Sequence, residues 1–446
     1  HTDYTGGMVL PLCIDCLGTG VVGVCKIVSS GSGKLRLAST NYPSDGLVTL
    51  SLSPPPSPEE LAVGCSSSGS SSKHPKWVNY VLAPIVEYIS MLPTGHSMDL
   101  SMAVGGDVPL GGGLSSSASL MVGIGKLLEL SIVDCGFGDC LYEGADVSEW
   151  PALRARTAKS AENGDYVKSP CGIMDQFVIS CGEEGGALWV KCGGEGGGEG
   201  GKILSSVSFG SMDAGQNVGQ NAGQNVGQKS APVLVVADCG VRHSIASGEY
   251  PKRVKECEEG RKRILGGDGG GRMLSDVEWG EVENFLVGEG EGAGTFAADS
   301  GVGTDRDSAS PSASASASAL WFRRCRHVIS ENARVKKCVS SLQSSDWAEV
   351  GRLMNASHES LKDDFEVSCG ELDLLVDITR KAEGVYGSRM TGGGFGGCTI
   401  SLLEGDGKEA AILEYIREEY RKKSGGVDCK PFVVKRPGGG VREVDH

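Results

Sequence analysis

The chain has 446 residues, of which 39% are hydrophobic and 22% are charged, and its 42 Lys and Arg against 57 Asp and Glu give a formal net charge of −15. This length suits two or three domains, each with a sizeable core. The acidic balance excludes binding to nucleic acid or to an anionic membrane through bulk charge. We also see no apolar run of the roughly 18 residues that span a bilayer, and we expect no membrane partner.

Patterned segments in chain order predict the secondary structure. The segment SMDLSMAV alternates apolar with polar or small residues and predicts a strand. Asp346, three residues before Glu349, predicts a helix N-cap. The other predicted elements are a helix in ASLMVGIGKLLEL, a strand in PVLVVADC, a short helix at 275–287, amphipathic helices in DWAEVGRLMNASHESL and SCGELDLLVDITRKA, and a strand in CTISLLE. Because strands and helices are mixed without regular βαβ spacing, the sequence predicts an α+β fold.

Low-complexity tracts interrupt these elements and hold many of the 69 glycines. They are SSSGSSS at 66–72, a Gly/Gln/Asn tract at 193–228, and a Gly- and Ser/Ala-rich tract that ends at Ala319. Such segments cannot bury enough apolar area to order themselves, and they predict surface insertions. The expected division is an N-terminal lobe at 1–192, an insertion at 193–231, and a C-terminal lobe at 232–446 with a second insertion near 288–319.

The 16 cysteines are scattered through helix-like and strand-like segments, several of them in apolar runs. This distribution is typical of thiols in a reducing compartment, and it predicts a cytoplasmic protein rather than a disulfide framework. Cys13 and Cys16 form an isolated CxxC. The pair is either two structural thiols or a redox or metal site, and no second pair stands at zinc spacing.

The strongest local signal is GGGLSSSAS at 111–119, between a predicted strand and a predicted helix. Glycines let backbone approach a ligand closely, and serines at a helix start lie where free N–H groups and the helix dipole favour an anion. Their hydroxyls can also bind phosphate oxygens or a magnesium ion. A flexible Gly/Ser linker is the alternative, but the flanking strand and helix favour phosphate binding. No Lys follows the glycines, so this is not a Walker loop.

Four further residues or segments have alternative interpretations. Asp175, between apolar residues in PCGIMDQFVIS, is either a satisfied core acid or a functional base with a tuned pKa. Glu162, on a predicted helix, can offer a hard oxygen to Mg²⁺, although its pattern alone does not favour that role. The glycines around Phe395 form either a tight strand entry or bulge, or a backbone platform under a ligand. Tyr250 either hydrogen-bonds a polar ligand or is an amphipathic surface residue.

Together, these segments resemble the motifs of the GHMP small-molecule kinases and, within them, of the galactokinase family. PLGGGLSSSAS resembles the phosphate-binding motif, SRMTGGGFGGC the C-terminal glycine motif, GIMDQF the segment with the catalytic Asp, and HTDYTGGMVLP the sugar-binding signature. VRHSIASGEYPKR and HPKWVNYV also fit. The resemblance covers nearly the whole chain outside the low-complexity tracts. It implies two α+β lobes with the active site in the cleft between them.

The resemblance also implies roles for individual residues. Asp175 would be the catalytic residue, facing the anomeric hydroxyl of the sugar as a base or an orienting group. Ser117, or its neighbour Ser116, would hold Mg²⁺ together with Glu162. The implied sugar-binding residues are His1, Asp3, Gly172, Asp175 and Tyr250. The implied nucleotide-binding residues are Trp77 near the adenine and, around the phosphates, Gly111, Gly112, Gly113, Leu114, Ser115, Ser116, Ser117, Ala118 and Ser119.

The function that the resemblance implies is ATP-dependent phosphorylation of D-galactose at the anomeric hydroxyl, by a monomer that uses ATP and Mg²⁺. The alternatives are an N-acetylgalactosamine kinase of the same family and a galactokinase-like sugar sensor without catalysis. GEYPKR resembles galactokinases more closely, and the intact Ser117–Ala118 pair, which known sensors lose, favours an enzyme. In the family, Pro-Gly-Arg-Val-Asn and Gly-Glu precede the His of the signature. Neither precedes His1, so we expect this chain to be truncated and impaired as an enzyme.

Overall fold

The computed structural model describes residues 1–62, 74–193, 201–209, 231–242, 248–267, 269–288, 318–405, 407–434 and 437–444. The strands are β1 (Met8–Val9), β2 (Cys13–Ile14), β3 (Thr19–Ser29), β4 (Lys34–Ser39), β5 (Val48–Ser51), β6 (His96–Gly106), β7 (Gly186–Lys191), β8 (Lys202–Ser208), β9 (Val233–Arg242), β10 (Val385–Met390), β11 (Gly396–Leu403), β12 (Lys430–Val434) and β13 (Pro437–Gly438). The α-helices are α1 (Pro58–Ala62), α2 (Trp77–Met91), α3 (Ser116–Asp134), α4 (Trp150–Asn163), α5 (Met174–Cys181), α6 (Glu249–Leu265), α7 (Trp279–Gly288), α8 (Ser318–Gln343), α9 (Trp347–Asp363), α10 (Gly370–Arg380) and α11 (Glu409–Lys423).

The described residues form two compact units that interleave along the chain. The first unit comprises His1–Leu12, Gly111–Gly113 and Gly185–Pro437, and the second comprises Cys13–Leu110, Leu114–Glu184 and Gly438–His446. Their bounds are not those of the predicted lobes 1–192 and 232–446, which stay a prediction.

A mixed sheet in the order β3–β6–β4–β5 organises the second unit. Strand β6 confirms the strand predicted from SMDLSMAV: it is antiparallel to β3 and parallel to β4. Its alternating residues Met98, Leu100, Met102 and Val104 are each at most 5% exposed, because successive side chains of a strand point to opposite faces. Helices α2 and α3 cover the buried face, where Val81, Ile124 and other apolar residues complete the core.

Helix α3 confirms the helix predicted from ASLMVGIGKLLEL. By length and composition alone it could cross a membrane, although it carries Lys126 and Glu129. A single helix of this kind is weak evidence for a span, since core helices pass the same test. Met121, Ile124 and Leu128 of α3 are buried in the cores of the second unit.

An antiparallel sheet in the order β10–β11–β9–β12 organises the first unit. Strands β9 and β11 confirm those predicted from PVLVVADC and CTISLLE. The core of this unit forms where residues of the sheet, such as Val235 and Leu403, meet apolar residues from α8 and α10. A separate sheet pairs β1 with β7 and β7 with β8.

The helices of the first unit also follow the sequence patterns. Helices α9 and α10 confirm the two predicted amphipathic helices, and the Asp346 side chain caps α9 by accepting a hydrogen bond from the Glu349 N–H at 3.1 Å. The helix predicted at 275–287 is instead a 3₁₀ turn, Leu274–Asp276, followed by α7. Val277 separates them because its backbone is extended, with ψ of 131°.

The low-complexity tracts are only partly within the described residues. The tract 66–72 lies outside them, as do 194–200, 210–230 and 289–317. Strand β8 falls inside the predicted insertion 193–231, where its half-buried and exposed residues alternate before Val207, which is buried. No disulfide joins the cysteines of the described ranges.

Candidate active site

The segment between β6 and α3 has the backbone of a tight, glycine-rich loop. Gly111 and Gly113 have φ of 66° and 74°, and Ser115, the N-cap of α3, has φ of 59°. A left-handed backbone is uncommon for a residue with a Cβ. The Ser115 side chain makes no capping hydrogen bond. The first N–H groups of α3 therefore gain no partner from that cap, and they can bind an anion.

Three side chains of the second unit meet beside the start of α3. Ser117 Oγ donates a hydrogen bond to Glu162 Oε1 at 2.6 Å, and Gln176 Nε2 donates one to Glu162 Oε2 at 2.8 Å. Glu162 is only 5% exposed. Burial raises the pKa of its carboxyl, and hydrogen bonds from Ser117 and Gln176 offset part of the rise. We call Ser117, Glu162 and Gln176 the carboxylate cluster.

The chemistry of this cluster fits a magnesium ion. The Ser117 hydroxyl and the Glu162 carboxylate are hard oxygen donors, and Mg²⁺ commonly takes one or two carboxylates together with waters and phosphate oxygens. Among the described residues, no group of three or more His, Cys, Asp and Glu side chains could hold a metal ion. The Ser117 hydroxyl and the Glu162 carboxylate would supply two ligands, and waters or phosphate oxygens would complete the coordination of such an ion.

Asp175 lies next to this cluster in the chain. It is half-buried in the first turn of α5, directly before Gln176, where the helix dipole stabilises a negative charge. Gly172 is buried three residues earlier. Asn163, at the end of α4, accepts a hydrogen bond from the Cys171 N–H at 2.9 Å and donates one to the Cys171 carbonyl at 3.3 Å.

In the first unit, two glycine-rich stretches meet backbone to backbone. A Cβ added to Gly392 would lie 2.5 Å from Gly113 Cα, and one added to Gly397 would lie 2.8 Å from the Gly112 carbonyl oxygen. Both distances are too short for a real Cβ, so only glycine fits. We call this meeting of Gly111–Gly113 with Gly392–Gly397 the glycine contact.

The glycine contact also shows what the glycines around Phe395 do. They form the turn between β10 and β11, and the pairing of β11 with β9 shifts register between Gly396 and Cys398, with the extra residues on β9. The turn is thus a tight entry into strand β11, as one interpretation predicted. The other interpretation, a platform under a ligand, stays a prediction, although the platform lies directly against Gly112 and Gly113.

The imidazole of His1 is held in the first unit by protein groups at both ring nitrogens. Nδ1 is hydrogen-bonded to the Tyr4 hydroxyl at 3.1 Å, and Nε2 donates to the Gly393 carbonyl at 3.1 Å. The ring also packs on Phe365, with 5.2 Å between centroids. A sugar hydroxyl would have to replace one of these partners to reach the ring. Asp3 lies two residues on, half-buried in a 3₁₀ turn.

Comparison with known proteins gives a consistent result. The GHMP kinases N terminal domain matches residues 79–183, and the GHMP kinases C terminal domain matches residues 338–422. The galactokinase of Canis lupus familiaris is 34% identical over 94% of this chain and 84% of its own length, and that of Homo sapiens is 33% identical over the same shares. The chain belongs to the galactokinase family. The predicted family is therefore confirmed.

A solved structure of the galactokinase family has the same fold. The crystal structure of Lactococcus lactis galactokinase complexed with galactose matches with a TM-score of 0.68 and 25% sequence identity, over 99% of this chain and 90% of that chain. This likeness confirms the predicted α+β, GHMP-kinase-like fold.

The structure also places two further residues that the galactokinase resemblance implies. Trp77 begins α2, where its Nε1 donates to Asp45 Oδ2 at 2.8 Å and its ring stacks on Tyr42 with 5.9 Å between centroids. Tyr250 lies in the first turn of α6, but its side chain is outside the described residues. The roles of both residues stay predictions.

The sequence did not single out three residues that the structure of this galactokinase-family chain places beside the implied site. Gln176 and Asn163 directly follow Asp175 and Glu162, and the i+1 position carries no recognisable signal of its own.

Asp238, in β9, is paired through both carboxylate oxygens with Arg242, whose Cδ lies 3.8 Å from where a Cβ on Gly111 would stand. Burial alone would raise the pKa of Asp238, but hydrogen bonds from Arg242 and the Gly240 N–H outweigh it, and the pKa is lowered.

Proposed function

We propose that this chain catalyses the ATP-dependent phosphorylation of D-galactose at its anomeric hydroxyl, giving galactose 1-phosphate. The observation that carries the proposal is the carboxylate cluster at the start of a phosphate-binding-type helix, in a chain of the galactokinase family. The Lactococcus lactis relative is complexed with galactose, which supports this sugar as the substrate. ATP supplies the phosphoryl group.

The residues of the chain divide the chemistry of phosphoryl transfer, which depends on alignment and charge stabilisation more than on covalent catalysis. The N–H groups at the start of α3, which the Ser115 side chain does not cap, bind phosphate oxygens. Asp175 orients the anomeric hydroxyl or accepts its proton. Glu162 and Ser117 hold Mg²⁺, which when bound neutralises charge on the transferred phosphoryl group.

The remaining site residues complete the proposal. Asp3, Gly172 and Tyr250 bind the sugar together with His1, and Trp77 lies near the adenine. The protein acts as a monomer in the cytoplasm, which agrees with its cysteines in apolar segments. The roles of these site residues come from the family resemblance, and each role is separately testable by substitution.

The decisive experiment measures product as well as turnover. The purified full-length protein is incubated with ATP, Mg²⁺ and D-galactose, and ³¹P NMR identifies the phosphorylated position. We expect galactose 1-phosphate and ADP in equal amounts, and competition with N-acetylgalactosamine should favour D-galactose. Preferential phosphorylation of N-acetylgalactosamine would replace the proposed substrate. Binding of sugar and ATP without product would instead indicate a sensor.

A further inference from the structure

The end of α4 is joined to the segment that carries Asp175 by two sets of hydrogen bonds. Glu162 accepts from Gln176 Nε2 at 2.8 Å, and Asn163 bonds both the N–H and the carbonyl of Cys171. In the chain, Asn163 directly follows Glu162, and Gln176 directly follows Asp175. Glu162 and Asp175 are therefore each adjacent in sequence to a residue that hydrogen-bonds the segment of the other carboxylate.

Burying the Gln176 side chain here destabilises the folded state in one respect, so stability alone does not explain this residue. Its side chain is 1% exposed, and its Oε1 has no hydrogen-bond partner among the described residues. A buried acceptor without a partner destabilises the folded state, whereas an apolar side chain of similar length would avoid that loss. The gain from Gln176 is its hydrogen bond to Glu162 Oε2, which fixes the direction of a carboxylate that also accepts from Ser117.

We infer that Gln176 and Asn163 are positioning residues that hold the Asp175 segment at a fixed place relative to Glu162. Gln176 acts on both carboxylates, because it orients Glu162 and is the chain neighbour of Asp175. Asn163 acts mainly on the segment that leads to Asp175, through the backbone and the thiol of Cys171. This inference rests on the proposed function, since it assigns Asp175 and Glu162 to phosphoryl transfer.

Two variants and a matched control separate positioning from a general effect on folding. Gln176→Met removes the donor to Glu162 and nearly preserves side-chain volume. Asn163→Ala removes three bonds to Cys171, which involve its N–H, its carbonyl and its thiol. Tyr166→Phe is the control, because it deletes one hydrogen bond, from the Tyr166 hydroxyl to the Pro56 carbonyl at 2.9 Å, in the same connection between α4 and α5. Thermal unfolding of each variant shows whether it folds.

Two measurements are made on each variant of the full-length protein. The first is the steady-state kcat and the KM for D-galactose. The second is binding of Mn²⁺, as a probe for Mg²⁺, in the presence of ADP and without turnover, followed by electron paramagnetic resonance. For Gln176→Met we expect kcat and Mn²⁺ affinity each to fall roughly tenfold with KM unchanged, because groups that orient metal ligands commonly have effects of this size.

The other two variants should give different patterns. Asn163→Ala should lower kcat roughly tenfold and reduce Mn²⁺ affinity less than Gln176→Met does, since Asn163 reaches Glu162 only through the Cys171 thiol, which bonds both residues. Tyr166→Phe should change neither. A folded Gln176→Met protein with wild-type kcat and Mn²⁺ affinity would overturn the inference, and so would equal losses in all three variants. If the unmodified protein phosphorylates no sugar, the proposed function fails, whereas Mn²⁺ binding still tests whether Gln176 orients Glu162.

Discussion

The glycine contact brings two stretches of backbone together in the first unit, whereas the carboxylate cluster brings three side chains together in the second. The glycine contact leaves no room for a Cβ at Gly392 or Gly397. The cluster depends on the donors that surround one buried carboxylate, Glu162. The shape requirement at Gly392 and Gly397 excludes almost every other residue. A hydrogen-bond requirement instead excludes residues by their chemistry, and its loss is felt first in function.

Asp175→Asn should have the largest effect. The variant keeps the shape of the side chain but cannot accept a proton, and general-base catalysis typically contributes 10²–10⁴-fold. We expect kcat to fall roughly 10³-fold with ATP binding unchanged, as measured by steady-state assay and nucleotide titration. Near-full turnover in this variant would mean that Asp175 does not take part in the chemistry.

Gly392→Ala tests the glycine contact. The new methyl group would clash with Gly113 Cα, and Ala would have to adopt φ of 75°. The left-handed backbone costs about 1–2 kcal/mol and overpacking about 1–3 kcal/mol, so we expect the free energy of unfolding to fall by about 3 kcal/mol in urea titrations.

The matched control for this variant is Gly425→Ala. Gly425 has the same φ of 75°, but a Cβ there would meet nothing within 4 Å. The free energy of unfolding of Gly425→Ala should therefore fall only by the cost of the left-handed backbone, about 1–2 kcal/mol. Equal losses in the two variants would show that the glycine contact is not a steric requirement.

Glu162→Gln tests the carboxylate cluster and keeps the shape of the Glu162 side chain. The neutral amide removes the charge that we assign to the cation, and we expect kcat to fall roughly 10²-fold in assays at several Mg²⁺ concentrations. Folding should change little, because a neutral side chain no longer pays the desolvation cost that raises the pKa of Glu162. A variant that unfolds, with normal turnover in the folded fraction, would assign Glu162 to structure alone.

The two regions also differ in how far the sequence predicted them. The glycine contact has a compositional signature, since runs of Gly at 111–113 and 392–397 predict close backbone approach. The sequence could not show that the two runs meet each other. Alternation and helical periodicity predicted β6, α3 and α9 because burial of one face fixes those patterns.

The side-chain pairs Glu162–Gln176 and Asp238–Arg242 could not be predicted in the same way. Glu162 and Gln176 are brought together by the turn between α4 and α5, and no spacing rule records that turn. Asp238 and Arg242 are four residues apart at the end of a strand, where a helical i,i+4 rule does not apply. Such pairs depend on tertiary placement, which a single sequence does not state. Family resemblance supplied roles for Asp175 and Glu162, but not for the residues that orient them.

Asp238→Asn should have the smallest effect, and it adds a side-chain test beside the glycine contact. The pKa of Asp238 is lowered in the folded state from its ordinary value of 3.8. Its carboxylate therefore stabilises the fold above that ordinary value, and this stabilisation is lost as the pH falls through the lowered pKa. Because the Arg242 side chain is 36% exposed, solvent screens the pair, and we expect a loss of about 1 kcal/mol at pH 7.

The pH dependence of that loss identifies its cause. Urea titrations of Asp238→Asn and the unmodified protein should differ equally at pH 7 and pH 5, and the difference should shrink below pH 3.8 as Asp238 becomes protonated. Asp428→Asn is the control, because its ion pair with Arg421 is 69% exposed on both sides and contributes little at any pH. A pH-independent loss for Asp238→Asn would mean that the side chain stabilises the end of β9 by packing, so that the region of the glycine contact relies on shape throughout.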